Sequence, residues 1–169
     1  MDLRNYIRDV LDFKPGITFF DITPLLAEPA AFRYAIDALA ERYKDSGANK
    51  IVAAEARGFL FGAPLAYKMN IGFIPVRKPG KLPYKTNSVT YELEYGTDSL
   101  QMHVDAVKPG DNILIIDDLL ATGGTTGGMI QLVQNSGGNV AGIGFLIELG
   151  FLDGSSKLAG IPHEYLLKL

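Results

Sequence analysis

The chain has 169 residues, of which 47% are hydrophobic and 21% charged. That length is typical of one domain with its own core, so we expect a single globular unit over residues 1–169. A formal charge of −3 argues against a nucleic-acid-binding protein, whose affinity depends largely on a surplus of Lys and Arg. We expect no membrane-spanning segment, because no apolar run is long enough to cross a bilayer.

The sequence contains no cysteine, so neither a disulfide nor a thiolate metal site can form. This composition fits a reducing compartment. The first five residues lack the basic-then-apolar pattern of a secretory signal. We therefore expect a cytoplasmic protein without a leader.

The first half of the chain predicts helices that alternate with strands. Apolar residues at helical spacing predict a helix over residues 30–46, and Gly47 stands where that helix would end. A short apolar run predicts a buried strand at residues 50–54. A helix at about residues 58–69 and a strand at residues 72–76 follow.

A hairpin is predicted next. Residues 89–95 and 99–104 alternate between apolar and polar side chains, and residues 96–98 supply a turn between them. The preceding segment, residues 82–90, is polar and predicts a mobile flap that closes over a substrate.

The second half of the chain continues the alternation. Branched apolar residues at 112–116 predict a strand that is covered on both faces, as in parallel sheets. A glycine-rich turn, a helix to about residue 135 and a strand at residues 139–149 follow. This order predicts a parallel α/β sheet, whose ligands bind beyond the carboxyl ends of the strands. We expect a hood, a core and a C-terminal segment at about residues 1–30, 31–150 and 151–169.

The strongest functional signal lies at residues 113–126. A buried strand delivers two adjacent acids, and a turn with paired glycines and threonines then opens a helix. Glycines allow the backbone to approach an anion closely, and successive N–H groups at a helix start can donate to it. The predicted phosphate loop consists of Ala121, Thr122, Gly123, Gly124, Thr125 and Thr126.

The two acids of this motif, Asp117 and Asp118, predict the kind of ligand. Adjacent carboxylates repel a phosphate unless they contact hydroxyl groups or a cation. A ribose phosphate with free 2′ and 3′ hydroxyls, accompanied by Mg²⁺ near the acids, meets both conditions. No Lys follows the glycines, so the motif is not a nucleoside-triphosphate P-loop. The alternative is that the acids merely end a strand and cap a helix.

The motif resembles the binding motif for phosphoribosyl pyrophosphate (PRPP) in type I phosphoribosyltransferases. The resemblance implies a mostly parallel twisted sheet flanked by helices, with a small N-terminal hood. It implies an Mg²⁺-dependent transfer of the 5-phosphoribosyl group of PRPP to adenine in purine salvage, which gives AMP and pyrophosphate. Stretches similar to the adenine-specific branch lie at residues 14–17, 21–24, 55–62, 76–83 and 91–96.

The resemblance also implies how the pyrophosphate of PRPP is held. A turn after the strand at 50–54 would bind it, with a non-proline cis peptide between Glu55 and Ala56. A basic cluster after the strand at 72–76 would add cations, one of them from a partner subunit in a homodimer. The implied pyrophosphate residues are Glu55, Ala56, Arg57, Lys78, Lys81 and, from the partner subunit, Arg77. The alternatives are a surface Arg at a helix start and a solvated basic loop.

Transfer at C1′ requires a stabilised leaving group, a base in line and exclusion of water, because the transition state resembles an oxocarbenium ion. The resemblance implies that Arg57 and Glu94 are catalytic, Glu94 by stabilising charge or accepting a proton. It places Thr18 and Phe19 on one side of the adenine and Leu149 on the other. Glu94 could instead be an exposed strand residue, and Phe19 ordinary packing.

One position departs from the family pattern, because Phe20 stands where Arg is usual. His103 and His163 have no second ligand nearby in the sequence and are predicted to be structural. Three alternative functions remain at this point: a phosphoribosyltransferase for hypoxanthine, guanine or xanthine, a non-catalytic PRPP sensor, and a plain nucleotide-binding module. A sensor should lack the leaving-group residues or carry a DNA-binding appendage.

Overall fold

The computed structural model describes residues 1–93 and 95–169, and its strands form three sheets. The α-helices are α1 (Thr23–Ala27), α2 (Pro29–Tyr43), α3 (Arg57–Met69) and α4 (Gly124–Asn135). The strands are β1 (Arg8–Lys14), β2 (Ile17–Asp21), β3 (Lys50–Ala54), β4 (Gly72–Val76), β5 (Thr86–Glu92), β6 (Thr97–His103), β7 (Asn112–Leu120), β8 (Asn139–Glu148) and β9 (His163–Lys168). Short 3₁₀ turns lie at Leu3–Tyr6, Gly150–Leu152 and Gly154–Lys157.

The central sheet has five parallel strands in the order β4-β3-β7-β8-β9. Its middle strand β7 is apolar on both faces, and Ile113, Leu114, Ile115 and Ile116 are each 0% exposed. One face packs on α2 and α3, and the other on α4. This arrangement confirms the predicted parallel α/β sheet with helices on its faces.

Two glycines of helix α3 face the central sheet and allow the helix to pack closely on it. A Cβ atom at Gly62 would lie 2.8 Å from the Cβ of Ala53, and one at Gly58 would lie 3.0 Å from Oδ1 of Asp117. Real Cβ atoms essentially never come as close as 2.8 Å, and 3.0 Å is tighter than most of their contacts, so larger residues would push the helix outward. The two glycines therefore place the start of α3 against the carboxyl end of β7.

The hood is a hairpin of β1 and β2 followed by α1. Asp21 fixes its exit, because its carboxylate accepts hydrogen bonds from the N–H and the hydroxyl of Thr23, at 2.9 and 2.8 Å. The ring of Phe20 is half-buried and packs against the core that α2 and α3 share with the sheet. The departure from the usual Arg is thus absorbed by apolar packing.

Several predicted bounds agree with the structure, and others need correction. Strands β3 and β4 have the predicted ends, whereas α2 ends at Tyr43 instead of residue 46. Strand β7 runs on through the two acids to Leu120, because it stays paired with β8 as far as Leu120 and Glu148. No helix in the described part of the chain is long and apolar enough to cross a membrane.

Two segments differ more from the prediction. Residues 86–90 of the predicted flap belong to β5 and pair with β6, so only residues 82–85 lie outside the hairpin strands. Residues 97 and 98 of the predicted turn belong to β6, and the two strands are joined between Glu92 and Thr97, where the N–H of Leu93 donates to the carbonyl of Gly96 at 2.9 Å. Strand β9 lies beyond residue 150, where the sequence placed the end of the core, and completes the central sheet.

Asp111 ties the start of β3 to the turn before β7, at the opposite end of the strands from the two acids. Its carboxylate accepts hydrogen bonds from Nζ of Lys50 at 2.7 Å, the N–H of Lys108 at 2.8 Å and Nδ2 of Asn49 at 2.8 Å. The hydrogen bond from Lys50, followed by the other two, lowers the pKa of Asp111 to about 2.

We predict that this carboxylate makes stability depend on acid. Its folded-state pKa lies below the ordinary value of 3.8, so its contribution is present above pH 3.8 and is lost as the pH falls through about 2. Asp111→Asn should lower the free energy of unfolding at pH 7 by about 1–3 kcal/mol. Denaturant titrations check this, with the exposed Asp105→Asn as the control. Equal stability of the two variants would contradict the assignment.

Candidate active site

A cavity of about 220 Å³ opens at the carboxyl ends of β3 and β7. Parallel sheets bind ligands at this edge, because the loops and helix starts that follow the strands converge there. Two parts of the chain that are far apart in the sequence line the cavity together. They are residues 55–57 after β3, and residues 117–119 of β7 with the phosphate loop, residues 121–126, that follows them.

The phosphate loop wraps the start of α4. Gly123 has a φ of 82°, a left-handed conformation that glycine adopts readily, and the helix begins at the next residue. The first N–H groups of a helix have no partner within the helix and therefore serve as anion donors. Thr126 is 2% exposed, Thr125 is half-buried and Thr122 is exposed, and all three line the cavity. The loop thus offers backbone and hydroxyl donors on one concave surface.

The two acids lie at the floor of this cavity. The N–H of Asp118 donates to Oδ1 of Asp117 at 2.9 Å, and the Asp118 side chain is buried. Burial raises the pKa of Asp117 well above its usual value, and the charge of Asp118 raises it further. Burial also raises the pKa of Asp118, and the charge of Arg57 opposes that shift. The pair therefore favours a ligand that brings hydroxyl groups or positive charge.

Arg57 connects the acids with the hood. Its Nε lies 2.9 Å from Oδ2 of Asp118, and its guanidinium group stands 5.3 Å from the ring centroid of Phe19 in β2. Among the described residues that oxygen of Asp118 accepts no hydrogen bond of good geometry, and the charge of Arg57 compensates it. The peptide bond between Glu55 and Ala56 is cis, as the resemblance implies.

The carboxylate of Glu55 pairs with two cations of the basic cluster. Nζ of Lys81 lies 2.7 Å from its Oε2, and Nε of Arg77 lies 3.3 Å from its Oε1. The N–H of Lys78 donates to Oε1 at 2.7 Å. Partial burial raises the pKa of Glu55, but the hydrogen bonds from Lys81 and Lys78 and the charge of Arg77 outweigh it and leave the pKa low. These cations thus stand beside the 55–57 turn.

The ammonium group of Lys78 pairs with Asp98 of β6, a residue that the sequence analysis did not single out. The hydroxyl of Tyr91 stands beside the same carboxylate. Both residues belong to the predicted hairpin, but nothing in its alternating pattern marks them. Tyr91 lies opposite Asp98 across the hairpin, so a correct alignment of the two strands would have placed these residues together.

The residues expected at the adenine lie on the hood side of the site. Phe19 is half-buried and stacks on Phe13, with ring centroids 4.9 Å apart, and Thr18 precedes it in β2. Leu149 is 8% exposed and follows the end of β8. The described lining of the cavity includes none of the three predicted adenine residues. Glu94, the expected catalytic acid, lies outside the described residues.

Comparisons with known proteins identify the family. Residues 21–159 match the phosphoribosyl transferase domain. An adenine phosphoribosyltransferase of Maridesulfovibrio salexigens is 65% identical over 170 residues, which cover 100% of both chains. The crystal structure of an adenine phosphoribosyltransferase from Thermoanaerobacter pseudethanolicus has a TM-score of 0.96 and 54% identity, and the match covers 99% of this chain and 98% of that one.

A second solved structure is similar and contains a base. The adenine phosphoribosyltransferase of Saccharomyces cerevisiae, in complex with adenine and an imino-altritol bisphosphate, has a TM-score of 0.92 and 39% identity. That match covers 98% of this chain and 96% of the yeast chain. The chain therefore belongs to the phosphoribosyltransferase family, in the branch of the adenine phosphoribosyltransferases.

Proposed function

We propose that the chain transfers the 5-phosphoribosyl group of PRPP to adenine and releases AMP and pyrophosphate, as a step of purine salvage. The observation that carries the proposal is the single cavity in which the phosphate loop, the two acids and the 55–57 turn meet. Each of these parts suits one portion of PRPP. The yeast relative that binds adenine supports the choice of base.

The sugar and its 5-phosphate occupy the β7–α4 side of the cavity in this proposal. The phosphate accepts hydrogen bonds from the N–H groups and threonine hydroxyls of residues 121–126. Asp117 and Asp118 accept hydrogen bonds from the 2′ and 3′ hydroxyls, which satisfy the carboxylate oxygens without adding negative charge to a buried place. The ribose is thereby oriented with C1′ toward the 55–57 turn.

The leaving pyrophosphate lies at that turn. Arg57, at the start of α3, supplies a planar guanidinium group that binds two oxygens at once. Lys78, Lys81 and, in the dimer, the partner's Arg77 add cations. Carboxylate oxygens are ligands that Mg²⁺ accepts, so Asp117 and Asp118 fit an ion held mainly by the substrate. When bound, Mg²⁺ neutralises charge that develops on the pyrophosphate.

Adenine approaches C1′ from the hood. Thr18 and Phe19 on β2 and Leu149 after β8 form its apolar walls in the proposal, and Glu94 stabilises charge on the sugar or takes the proton from the base. The contact between Arg57 and the ring of Phe19 supports this arrangement, because it joins the base wall to the leaving-group side. The hood also shields the reacting atoms from water.

A homodimer fits the surface of α3. Leu60 is 41% exposed and Tyr67 is 90% exposed, and their spacing places both on one face of the helix. An exposed apolar face of this kind is typical of protein–protein contacts. The face begins one turn after Arg57, so a partner that covers it lies beside the cavity. The dimer and the cytoplasmic location remain predictions.

We predict that the protein forms AMP from PRPP, Mg²⁺ and adenine, and that it uses hypoxanthine, guanine and xanthine at least about 100-fold less efficiently. The measurement is chromatographic detection of each nucleoside monophosphate, with a reaction lacking PRPP as the control. Faster turnover of another purine would move the chain to a different specificity. No product with any purine would favour a PRPP sensor.

We predict that the combined change Asp117→Asn and Asp118→Asn lowers kcat/KM at least about 100-fold, because an amide is uncharged and offers one acceptor oxygen where a carboxylate offers two. The fold should remain intact or gain stability. Burial raises the pKa of both acids, so their ionised forms at pH 7 destabilise the folded state, and amides avoid that. Kinetics and thermal unfolding check both statements, with Asp105→Asn as the control. Activity within a few-fold of wild type would refute the assignment.

We predict that each site takes Arg77 from the partner. A subunit with Arg77→Ala and a subunit with both acids changed to Asn should each be inactive as homodimers. In a mixed dimer the first subunit keeps its acids and receives an intact Arg77, so a 1:1 mixture should regain about a quarter of wild-type activity. The assay is AMP formation after subunit exchange. Activity no higher than that of the unmixed variants would argue against a shared site.

A further inference from the structure

The β5–β6 hairpin packs on the start of α4 through one ring. A Cβ atom at Gly128 would lie 3.0 Å from Cδ1 of Tyr91, and one at Gly124 would lie 3.4 Å from its Cδ2. Two glycines one helical turn apart therefore form a flat seat for the ring of Tyr91. Since Gly124 also lines the cavity, Tyr91 supports the phosphate loop from behind.

The hydroxyl of Tyr91 stands between two polar groups. It lies 3.4 Å from Oγ1 of Thr125 and 3.4 Å from Oδ2 of Asp98. Thr125 belongs to the phosphate loop, and Asp98 pairs with Lys78. Tyr91 is thus the link between the two halves of the site.

The carboxylate of Asp98 has a fixed orientation. Its Oδ1 accepts a hydrogen bond from the N–H of Ser99 at 2.8 Å, which leaves Oδ2 toward the ammonium group of Lys78. Lys78 is also held at its backbone, because its N–H donates to Glu55 at 2.7 Å. Both ends of this long side chain are therefore constrained before any ligand arrives.

We propose that Asp98 is a positioning residue for Lys78, and that Tyr91 joins this pair to the phosphate loop. An ammonium group has three N–H donors, so the donors not directed at Asp98 are available to pyrophosphate oxygens. A lysine that is already immobilised loses less side-chain entropy when the anion binds. The positive charge of Lys78 offsets the negative charge of Asp98 and so limits the repulsion between Asp98 and the anionic ligand. This inference rests on the proposed function, because it assumes that Lys78 binds pyrophosphate.

The test measures binding of inorganic pyrophosphate and of AMP to the full-length protein by calorimetry, both with Mg²⁺ present. Asp98→Asn should weaken pyrophosphate binding about ten-fold and change AMP binding less than about two-fold, because AMP lacks the pyrophosphate. In turnover, the KM for PRPP should rise while the KM for adenine and kcat stay within a few-fold. The control is Asp105→Asn, an exposed acid in the turn after β6, which should leave all values unchanged.

A double-mutant cycle separates positioning from a general effect of charge. If Asp98 acts through Lys78, the variant with both Asp98→Asn and Lys78→Gln binds pyrophosphate no more weakly than Lys78→Gln alone. Losses that add fully would overturn the inference. Tyr91→Phe keeps the ring on its glycine seat and removes the hydroxyl, so it tests the link if Asp98→Asn folds poorly. It should weaken pyrophosphate binding a few-fold, and an unchanged affinity would remove Tyr91 from the proposal.

The outcomes distinguish this inference from the proposed function. A wild-type protein that forms no AMP would contradict the proposed function. An active wild-type protein in which Asp98→Asn behaves like Asp105→Asn would contradict only the positioning role of Asp98.

Discussion

The site depends on the burial of two adjacent carboxylates at the end of β7. Asp117 and Asp118 lie where the parallel sheet opens, and burial raises the pKa of both. Such a pair is stable only beside groups that compensate its charge. Arg57 provides the nearest cation, and the close approach of Gly58 allows α3 to bring it there. The packing of α3 against β3 and β7 therefore places a cation beside the acids.

Pairing of opposite charges also explains how an acidic protein can hold a strongly anionic substrate. The cations beside the 55–57 turn are paired with carboxylates, Lys81 with Glu55 and Lys78 with Asp98. Pairing holds these side chains in place although the chain carries a formal charge of −3. In the proposed function an incoming pyrophosphate shares these cations with their carboxylates, so its attraction is local and does not depend on the overall field of the protein.

The hood is coupled to the same charges through aromatic contacts. Phe13 stacks on Phe19, and Phe19 meets the guanidinium group that pairs with Asp118. A movement of the hood would therefore displace Phe19 from the guanidinium group of Arg57. Phe20, on the next position of β2, faces the core instead and holds the hairpin by apolar packing. The residue that departs from the family pattern thus helps to hold the hood against the core.

The sequence alone determined the fold class and most of the cavity lining. Strands β3 and β4 and the acid–glycine–threonine motif could be predicted because their signals are continuous in the chain, as runs of apolar residues or as fourteen successive positions. Only the tertiary structure decided which distant residues meet. Strand β9 has a weak pattern and needs β8 beside it, and the Lys78–Asp98 pair joins positions whose contact depends on the register of β5 and β6. Such contacts arise from packing, which a local pattern does not encode.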